Sequence, residues 1–160
     1  MLTVNLVAVG KIKERYLTDA CREYEKRLGA FCKINIIEVE EYRLPDNPSQ
    51  ALIDQGIEEE GRRIASKIPA GSCLVTLCIE GRQLTSPELA RSISDWMLEG
   101  CSAVTFVIGG SNGLWAPLKE RSRLRLSMSK MTFPHQLARV LLLEQVYRAM
   151  TINANHKYHK

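Results

Sequence analysis

Three glycines that follow an apolar run have a spacing suited to a ligand-binding loop. Gly109, Gly110 and Gly113 come directly after the β-branched run 104–108. Such a run predicts a buried strand, and three glycines within five residues predict a loop whose backbone lies close to another group. Ligands of open α/β sheets bind at the carboxyl ends of the strands, so this loop is a candidate ligand site. A purely structural turn explains the same glycines equally well.

The glycine loop matches neither of the standard nucleotide-binding motifs. No lysine follows Gly113, as a P-loop requires, and the glycine spacing differs from that of the dinucleotide-binding motif. Two stretches downstream are expected to complete the candidate site. They are residues 126–135 and the helix predicted after them.

The composition is that of an ordinary globular protein. The 160 residues are expected to form one domain, 1–160, with 45% apolar and 25% charged residues. No apolar run is long enough to span a membrane, and residues 1–15 lack the pattern of a signal peptide, so a cytoplasmic protein is expected. The five cysteines are odd in number and lack CxxC spacing. They are expected to be buried thiols rather than disulfides or zinc ligands, and no metal site is expected.

Charge is distributed unevenly along the chain. Residues 1–116 carry 13 Lys and Arg against 16 Asp and Glu, whereas residues 117–160 carry 9 against 2. The basic surplus therefore lies in the C-terminal quarter, beside the candidate site. A basic face favours a polyanion such as RNA, although a solvated basic surface gives the same composition.

Strands and helices are predicted to alternate along the whole chain. Apolar residues recur with the periods of strands and helices, and glycines and prolines separate the patterns. A hydroxyl, a proline and an acid within Thr85–Glu88 predict a capped helix start. The acidic run Glu58–Glu60 is expected to lie on a solvated helix face. The predicted strands are 2–10, 33–39, 72–79, 103–108 and 124–127, and the predicted helices are 14–28, 51–67, 86–98, 114–121 and 134–150.

The alternation predicts an α/β fold, with a mostly parallel sheet and helices on both faces. The last helix is apolar almost all round, and only Arg139, Glu144 and Arg148 in it are charged. In a small chain such a helix needs more cover than one sheet face provides, and a second subunit in a twofold dimer is the natural source. Burial of the helix within one domain is the alternative.

Several segments together resemble one protein family closely. They are 8–11, 107–113, 126–136, 139–140, 144–149 and the terminal Tyr158-His159-Lys160. In this combination the chain resembles the RlmH family, small SPOUT-class methyltransferases that act on pseudouridine in large-subunit ribosomal RNA. The resemblance covers essentially the whole chain.

The resemblance implies a fold and an activity that the periodicity alone does not show. Members of this class have a trefoil knot in the C-terminal half of the sheet, an exception to the rule that connections do not thread loops. They bind S-adenosylmethionine in a bent shape at the knot. They are homodimers, and the partner subunit completes each site. They methylate N3 of a pseudouridine in 23S rRNA on the assembled ribosome.

The resemblance places the cofactor contacts in three parts of the chain. Glycine at 109 is expected to let the backbone approach the cofactor without a side-chain clash. Leu77 and Met131 are expected to cover the flat faces of adenine, although core packing is the alternative for both. The residues expected to bind the cofactor are Leu77, Gly109, Met128, Ser129, Lys130, Met131, Thr132 and Phe133.

The resemblance also points to groups for proton transfer and RNA contact. The target N3–H must lose its proton, so a general base would help. The expected catalytic residues are His135, at the start of the last helix, and Tyr158 and His159 in the tail. The tail mixes aromatic and basic side chains that suit stacking on an unpaired base and contact with phosphate. The residues expected to contact RNA are Arg139, His156, Lys157 and Lys160.

Two other functions stay open at this point. One is a ribosome-associated binding factor that keeps the cofactor pocket but does not catalyse. The other is a methyltransferase of the same fold that acts on transfer RNA. No appended RNA-binding domain is expected from this sequence, which favours a target already presented by a large ribonucleoprotein.

Overall fold

Strands and helices alternate along the chain, as the sequence predicts. The computed structural model describes residues 1–160. In chain order the elements are β1 (Thr3–Val9), α1 (Arg15–Leu28), β2 (Lys33–Val39), α2 (Gln50–Ala65), β3 (Cys73–Gln83), α3 (Ser86–Leu98), β4 (Ala103–Ile108), α4 (Ala116–Arg121), β5 (Leu124–Ser127) and α5 (His135–Asn153).

The five strands form one sheet in the order β2-β1-β4-β3-β5. Every neighbouring pair is parallel, so the carboxyl ends of all five strands meet at one edge of the sheet. The predicted α/β fold with a parallel sheet is therefore confirmed. The trefoil knot stays an expectation from the resemblance.

Helices cover both faces of the sheet because its inner strands are apolar on both sides. In β1, Val4 and Leu6 belong to a core formed with α1, α3 and α5, whereas Val7 and Val9 belong to a smaller core formed with α2 and α4. Alternate side chains of a strand point to opposite faces, which explains this division. A continuous apolar run, as in β1, is typical of a strand buried on both faces.

The helix start predicted at Thr85–Glu88 is confirmed in detail. The N–H of Glu88 donates to Oγ1 of Thr85 (3.2 Å), and the N–H of Thr85 donates to Oε2 of Glu88 (2.7 Å). These reciprocal bonds form a capping box, and Pro87 lies in the first turn of α3. Two of the helix's free N–H groups are thereby satisfied, which fixes where α3 leaves the sheet.

The third strand is longer than predicted. The sequence predicts a strand that ends at 79, but β3 continues to Gln83. Leu77 and Arg82 both pair with Leu126 of β5, so residues 78–81 bulge out of the sheet between them. Glycine at 81 is needed there, because a Cβ would lie 2.7 Å from the carbonyl oxygen of Arg125.

Helix α5 lies between α1 and α3 and packs against β4. Its buried side includes Leu142, Val146 and Ala149. Helical spacing places Leu137, Leu141, Glu144 and Arg148 together on its outward side, and all four are half-buried in the single chain. Neither α5 nor any other helix is both long and apolar enough to cross a membrane.

The expectation that all five cysteines are free thiols is wrong. Cys73 and Cys101 form a disulfide, while Cys21, Cys32 and Cys78 are free and buried. The pairing arises because Cys73 begins β3 and Cys101 lies two residues before the neighbouring strand β4. The two residues are far apart in sequence but meet at the amino ends of adjacent parallel strands, opposite to the glycine loop.

Candidate active site

An open cavity of about 610 Å³ lies at the carboxyl ends of β3, β4 and β5. The end of β3, the glycine loop after β4 and the segment between β5 and α5 line it. These are the stretches that the sequence singles out. Seven of the residues expected to bind the cofactor line the cavity, namely Leu77, Gly109, Met128, Ser129, Met131, Thr132 and Phe133.

The eighth, Lys130, lies outside the lining, and its side chain is exposed to solvent. The neighbouring Met131 lines the cavity but is 76% exposed. The core-packing alternative for Met131 is therefore excluded, whereas Leu77 is half-buried and packs against the main core. Met131 shares the cavity lining with two other exposed apolar side chains, Ile79 and Phe133. A group of this kind, unlike a single exposed side chain, is typical of a contact surface for a ligand or a partner.

The glycine loop is folded tightly on itself. The N–H of Gly113 donates to the carbonyl oxygen of Gly110 (3.1 Å), and among the glycines of this loop only Gly113 has a positive φ, of 97°. A Cβ added to Gly109 would lie 2.9 Å from Cγ of Leu114 and 3.0 Å from the carbonyl oxygen of Gly113. The reason expected for glycine at 109 therefore needs correction, because a side chain there would first clash with the loop itself.

The segment after β5 is held in shape by its own serines. Oγ of Ser127 donates to the carbonyl oxygen of Ser129 (3.0 Å), and the N–H of Met131 donates to Oγ of Ser129 (3.0 Å). These local bonds fix a turn without regular secondary structure, which leaves other backbone groups free to face the cavity. The sequence signal for this turn is the alternation of serine with long side chains in 127–131.

His135 begins α5 and lines the cavity, so it is the histidine that the fold brings to this site. Pro134 precedes it at the N-cap position, where the missing N–H of proline costs nothing. The next residue, Gln136, accepts a hydrogen bond from the N–H of Lys13 (3.0 Å). That bond ties the start of α5 to the loop after β1.

A charged pair stands at the rim of the cavity. Nζ of Lys119 lies 2.7 Å from Oε1 of Glu80, and both residues line the cavity. The hydrogen bond from Lys119 lowers the pKa of the Glu80 carboxyl, so this group is ionised at neutral pH. Beside it, burial raises the pKa of the Cys78 thiol, which is therefore a poor nucleophile.

Glu60 contradicts the expected solvated helix face. Its side chain is 8% exposed, and its Oε2 accepts a hydrogen bond from the N–H of Tyr42 (3.0 Å). A Cβ at Gly110 would lie 3.0 Å from its Oε1, so the carboxylate lies against the glycine loop. Burial raises the pKa of Glu60, and the bond from Tyr42 opposes that shift. The sequence offers no signal that distinguishes Glu60 from Glu58 and Glu59.

Arg139 is misassigned as an RNA contact. It is 2% exposed, its Nη1 lies 2.7 Å from Oε2 of Glu38, and its Nη2 donates to the carbonyl oxygen of Gly10 (2.6 Å). The guanidinium therefore ties α5 to the carboxyl ends of β1 and β2 and does not reach solvent. The Glu38 side chain is 38% exposed, so the pair is buried only on its arginine side.

The tail is folded back onto α5 and α1. The hydroxyl of Tyr158 donates to Oε1 of Glu144 (3.0 Å), and Nδ1 of His159 lies 3.3 Å from Nη1 of Arg148. The His156 ring packs edge-on against Phe31, with 5.2 Å between ring centroids. The remaining expected RNA contacts, Lys157 and Lys160, are exposed.

The tail and the cavity of one chain are separate. The cavity lining extends along α5 only as far as Ala138, whereas the tail is anchored at Glu144 and Arg148. Glu144 lies six residues after Ala138 in the helix, which corresponds to roughly 9 Å along the axis. The fold therefore brings His135 to the cavity but does not bring Tyr158 or His159 to it within one chain.

Comparison with known proteins agrees with this geometry. A family model described as a predicted SPOUT methyltransferase matches residues 2–159. A protein named ribosomal RNA large subunit methyltransferase H, from Bifidobacterium animalis subsp. lactis, is 52% identical over 159 residues, which are 99% of this chain and 100% of that protein. The protein of the same name from Bifidobacterium adolescentis is 50% identical with the same coverage.

Among solved structures, a probable methylase family protein from Haemophilus influenzae Rd KW20 has a TM-score of 0.53 and 12% sequence identity, covering 98% of this chain and 70% of that one. At this identity the likeness concerns the fold alone. The family model and the two relatives cover nearly the whole sequence, including the glycine loop and the segment after β5. The chain therefore belongs to the SPOUT methyltransferase family.

Proposed function

We propose that the chain transfers a methyl group from S-adenosylmethionine to N3 of a pseudouridine in large-subunit (23S) rRNA, on the assembled ribosome in the cytoplasm. The observation that carries this proposal is the cavity at the carboxyl ends of β3, β4 and β5, lined by seven residues that the family resemblance assigns to the cofactor. The names of the two Bifidobacterium relatives support large-subunit ribosomal RNA as the substrate.

The residues of the cavity fit a nucleoside-type cofactor. Its volume of about 610 Å³ is in the usual range for small-molecule sites, and half of its lining residues are hydrophobic. Leu77 and Leu126 offer apolar walls, while the glycine loop and residues 128–133 offer backbone groups to the polar edge of a base. S-adenosylmethionine would supply a methyl carbon bound to a positively charged sulfur, an electrophile that needs no metal.

The chain's own contribution is positioning and the control of protons. Transfer to a nitrogen is an in-line displacement, so the protein must hold the target nitrogen in line with the donor and exclude water. The target N3–H must also lose its proton, and His135 is the base candidate that lines the cavity. Tyr158 is suited to a different role, because burial and its bond to Glu144 raise its pKa to about 12. It stays protonated at neutral pH and acts as a hydrogen-bond donor or a stacking surface.

The proposal includes a homodimer that completes the site. The outward side of α5 presents Leu137 and Leu141 half-buried in the single chain, and the tail packs around the same side at Glu144 and Arg148. A partner that packs on this side would cover both leucines and meet the tail of the first chain. We propose that each tail reaches the other chain's cavity in this pair, a contact that twofold symmetry would make reciprocal. His159 and Tyr158 then act in the partner's site.

Incubation of the purified chain with methyl-labelled S-adenosylmethionine tests this function. The substrates compared are assembled ribosomes, free large subunits, transfer RNA and no RNA. Label in large-subunit rRNA of assembled ribosomes is the expected result. Label in transfer RNA alone would assign a different substrate, and cofactor binding without transfer to any of them would indicate a ribosome-associated binding factor.

A further inference from the structure

Basic residues are concentrated in the segment from the end of α4 to β5, the strand at the edge of the sheet beside the cavity. From the end of α4 into β5, every second residue is basic, at positions 119, 121, 123 and 125. Strand β5 is the last strand of the sheet and pairs only with β3, so its other edge faces outward. Arg82 of β3 adds a further cation, because it pairs with Leu126 next to Arg125.

These cations differ in how far they are already neutralised. Arg82, Arg121 and Arg125 are exposed, and no carboxylate lies within ion-pair distance of them. Arg123, in contrast, forms an ion pair with Glu99 and lies over the ring of Trp96, 5.8 Å from its centroid. We therefore define the β5 edge surface as the three unpaired arginines Arg82, Arg121 and Arg125, since Lys119, like Arg123, is already paired with a carboxylate.

The structure orients one of these guanidinium groups. Nε of Arg125 donates to the carbonyl oxygen of Lys119 (3.0 Å), at the C-terminal turn of α4. An arginine has five N–H donors, so this bond fixes the plane of the group and leaves the other donors for an external acceptor. A planar, oriented guanidinium matches the oxygens of a phosphate better than a mobile ammonium does.

Lys119 connects this surface to the cavity. Its ammonium lines the cavity rim through its pair with Glu80, while its carbonyl oxygen holds Arg125. The exposed side chains of Ile79 and Phe133 lie on the same rim. Apolar and aromatic groups next to oriented cations are the combination that binds unpaired bases together with their phosphates.

We propose that the β5 edge surface binds the phosphate backbone of the RNA strand that carries the target nucleotide, next to the cavity. This inference rests on the proposed function, since it names where the substrate of that same site is held. It assigns backbone binding to residues of the folded domain, whereas the tail contacts the base. The competing explanation is that the arginines only protect an open sheet edge from pairing with other chains.

The test measures binding of a labelled, single-stranded RNA of about 16 nucleotides, a length suited to a backbone-tracking groove. The variant R82Q/R121Q/R125Q removes the three unpaired arginines. We expect its affinity to fall roughly tenfold or more at low salt, and the slope of log K against log salt to shrink by about 2, since each lost single-strand phosphate contact removes about 0.7.

The matched control is K26Q/K33Q/K67Q, which removes the same charge from exposed lysines near the amino ends of the strands. It should keep the affinity and the salt slope close to those of the unmodified protein. Equal losses in the two variants would overturn the proposal, because net charge alone would explain them. An unchanged affinity in the arginine variant would also overturn it and leave edge protection as their role.

A melting experiment with S-adenosylmethionine separates this inference from the proposed function. The arginine variant should show the same cofactor-induced rise in melting temperature as the unmodified protein, since none of its changes touches the cavity lining. A protein that binds RNA through these arginines but shows no cofactor shift would contradict the proposed function and support the surface. If the arginine variant loses the cofactor-induced rise in melting temperature, these arginines also affect the cofactor site. That result would overturn their assignment to RNA binding.

Discussion

The hydroxyl of Tyr158 donates a hydrogen bond to Oε1 of Glu144, 14 residues earlier in the chain and 3.0 Å away. Its ring packs edge-on against Tyr147, with 4.8 Å between centroids, and the guanidinium of Arg148 lies 4.8 Å from its centre. Arg148 is itself paired with Glu144 at 2.6 Å. The four residues fix the C-terminal tail on the outward side of α5, at the place where the proposed dimer forms.

Deletion of residues 155–160 should separate cofactor binding from methyl transfer. The tail lies outside the cavity of its own chain, so the fold and the cofactor-induced melting shift should persist. Methyl transfer to ribosomes should fall by at least the ~10²-fold typical of losing a positioned acid–base or orienting group. Tyr158→Phe keeps the packing on Tyr147 but removes the bond to Glu144, and should show part of this loss. A normal transfer rate in the truncated protein would exclude a catalytic role for the tail.

Leu141→Glu should dissociate the proposed dimer. Leu141 lies on the outward side of α5, where a partner would bury the new carboxylate without a counter-ion at a cost of several kcal/mol. Light scattering at micromolar concentration should show a dimer for the unmodified chain and a monomer for the variant. Val146 is unsuitable for this test, because it is buried in the core of its own chain and Glu there would unfold the monomer.

The control for that experiment is Leu98→Glu. Leu98 is also apolar but is 84% exposed at the end of α3, away from the outward side of α5. This variant should remain dimeric. A folded monomer of the unmodified chain at the same concentration would contradict the dimer.

S-adenosylmethionine should raise the melting temperature of the purified protein in the presence of a chelator. At about one hundred times its dissociation constant, a ligand of the folded state adds about 2.7 kcal/mol, or roughly 5–10 °C for a chain of this size. Gly109→Ala should abolish the rise, because its Cβ would push Leu114 and the carbonyl of Gly113 out of place.

Gly29→Ala is the matched control, because Gly29 lies at the end of α1, far from the cavity in the fold. A Cβ there would lie 3.3 Å from the carbonyl oxygen of Lys26 and 3.7 Å from that of Glu25. It should keep the full cofactor shift. A cofactor shift in Gly109→Ala equal to that of the unmodified chain would place the cofactor elsewhere.

Glu60→Gln should stabilise the protein increasingly as the pH rises. Burial raises the pKa of Glu60 in the folded state above its ordinary value of 4.5, so the folded protein binds this proton more tightly than the unfolded chain. The contribution of Glu60 to the free energy of unfolding therefore falls as the pH rises from its ordinary pKa to its higher pKa in the folded state. Glutamine still accepts the bond from Tyr42 but carries no charge, so its advantage in melting temperature should be larger at pH 7 than at pH 4.

Glu59→Gln, on the exposed face of the same helix, should show no such growth with pH. An equal advantage of Glu60→Gln at both pH values would mean that Glu60 is not ionised in a buried setting. The comparison also reports on the glycine loop, since Glu60 lies against Gly110.

The sequence predicts the sheet and the position of the cavity well because both depend on local patterns. The run at 104–108 followed by Gly109 and Gly110 marks a buried strand and its loop, and the structure has β4 end at Ile108. The sequence does not predict the bulge at 78–81, because the bulge depends on the register of β3 against β5. That register relates residues that are far apart in sequence. Local patterns carry no information about that register.

The sequence is a poor predictor of residues whose role depends on a contact with another helix, strand or loop. Arginine is usually a surface residue, but Arg139 is buried against Glu38. Glu60 lies in an acidic run typical of an exposed helix face, but it faces the glycine loop. Cys73 and Cys101 pair because β3 and β4 are neighbours in the sheet, which no spacing rule expresses. In each case the partner comes from another element, so only the tertiary fold shows the interaction.

Mass spectrometry of large-subunit rRNA would detect the proposed methylation at N3 of a pseudouridine. Fragments of 23S rRNA are compared between cells that contain this protein, cells that lack it and cells that carry Gly109→Ala. We expect one pseudouridine-containing fragment that carries an additional methyl group only when the unmodified protein is present. Identical fragment masses in all three samples would contradict the proposed methylation.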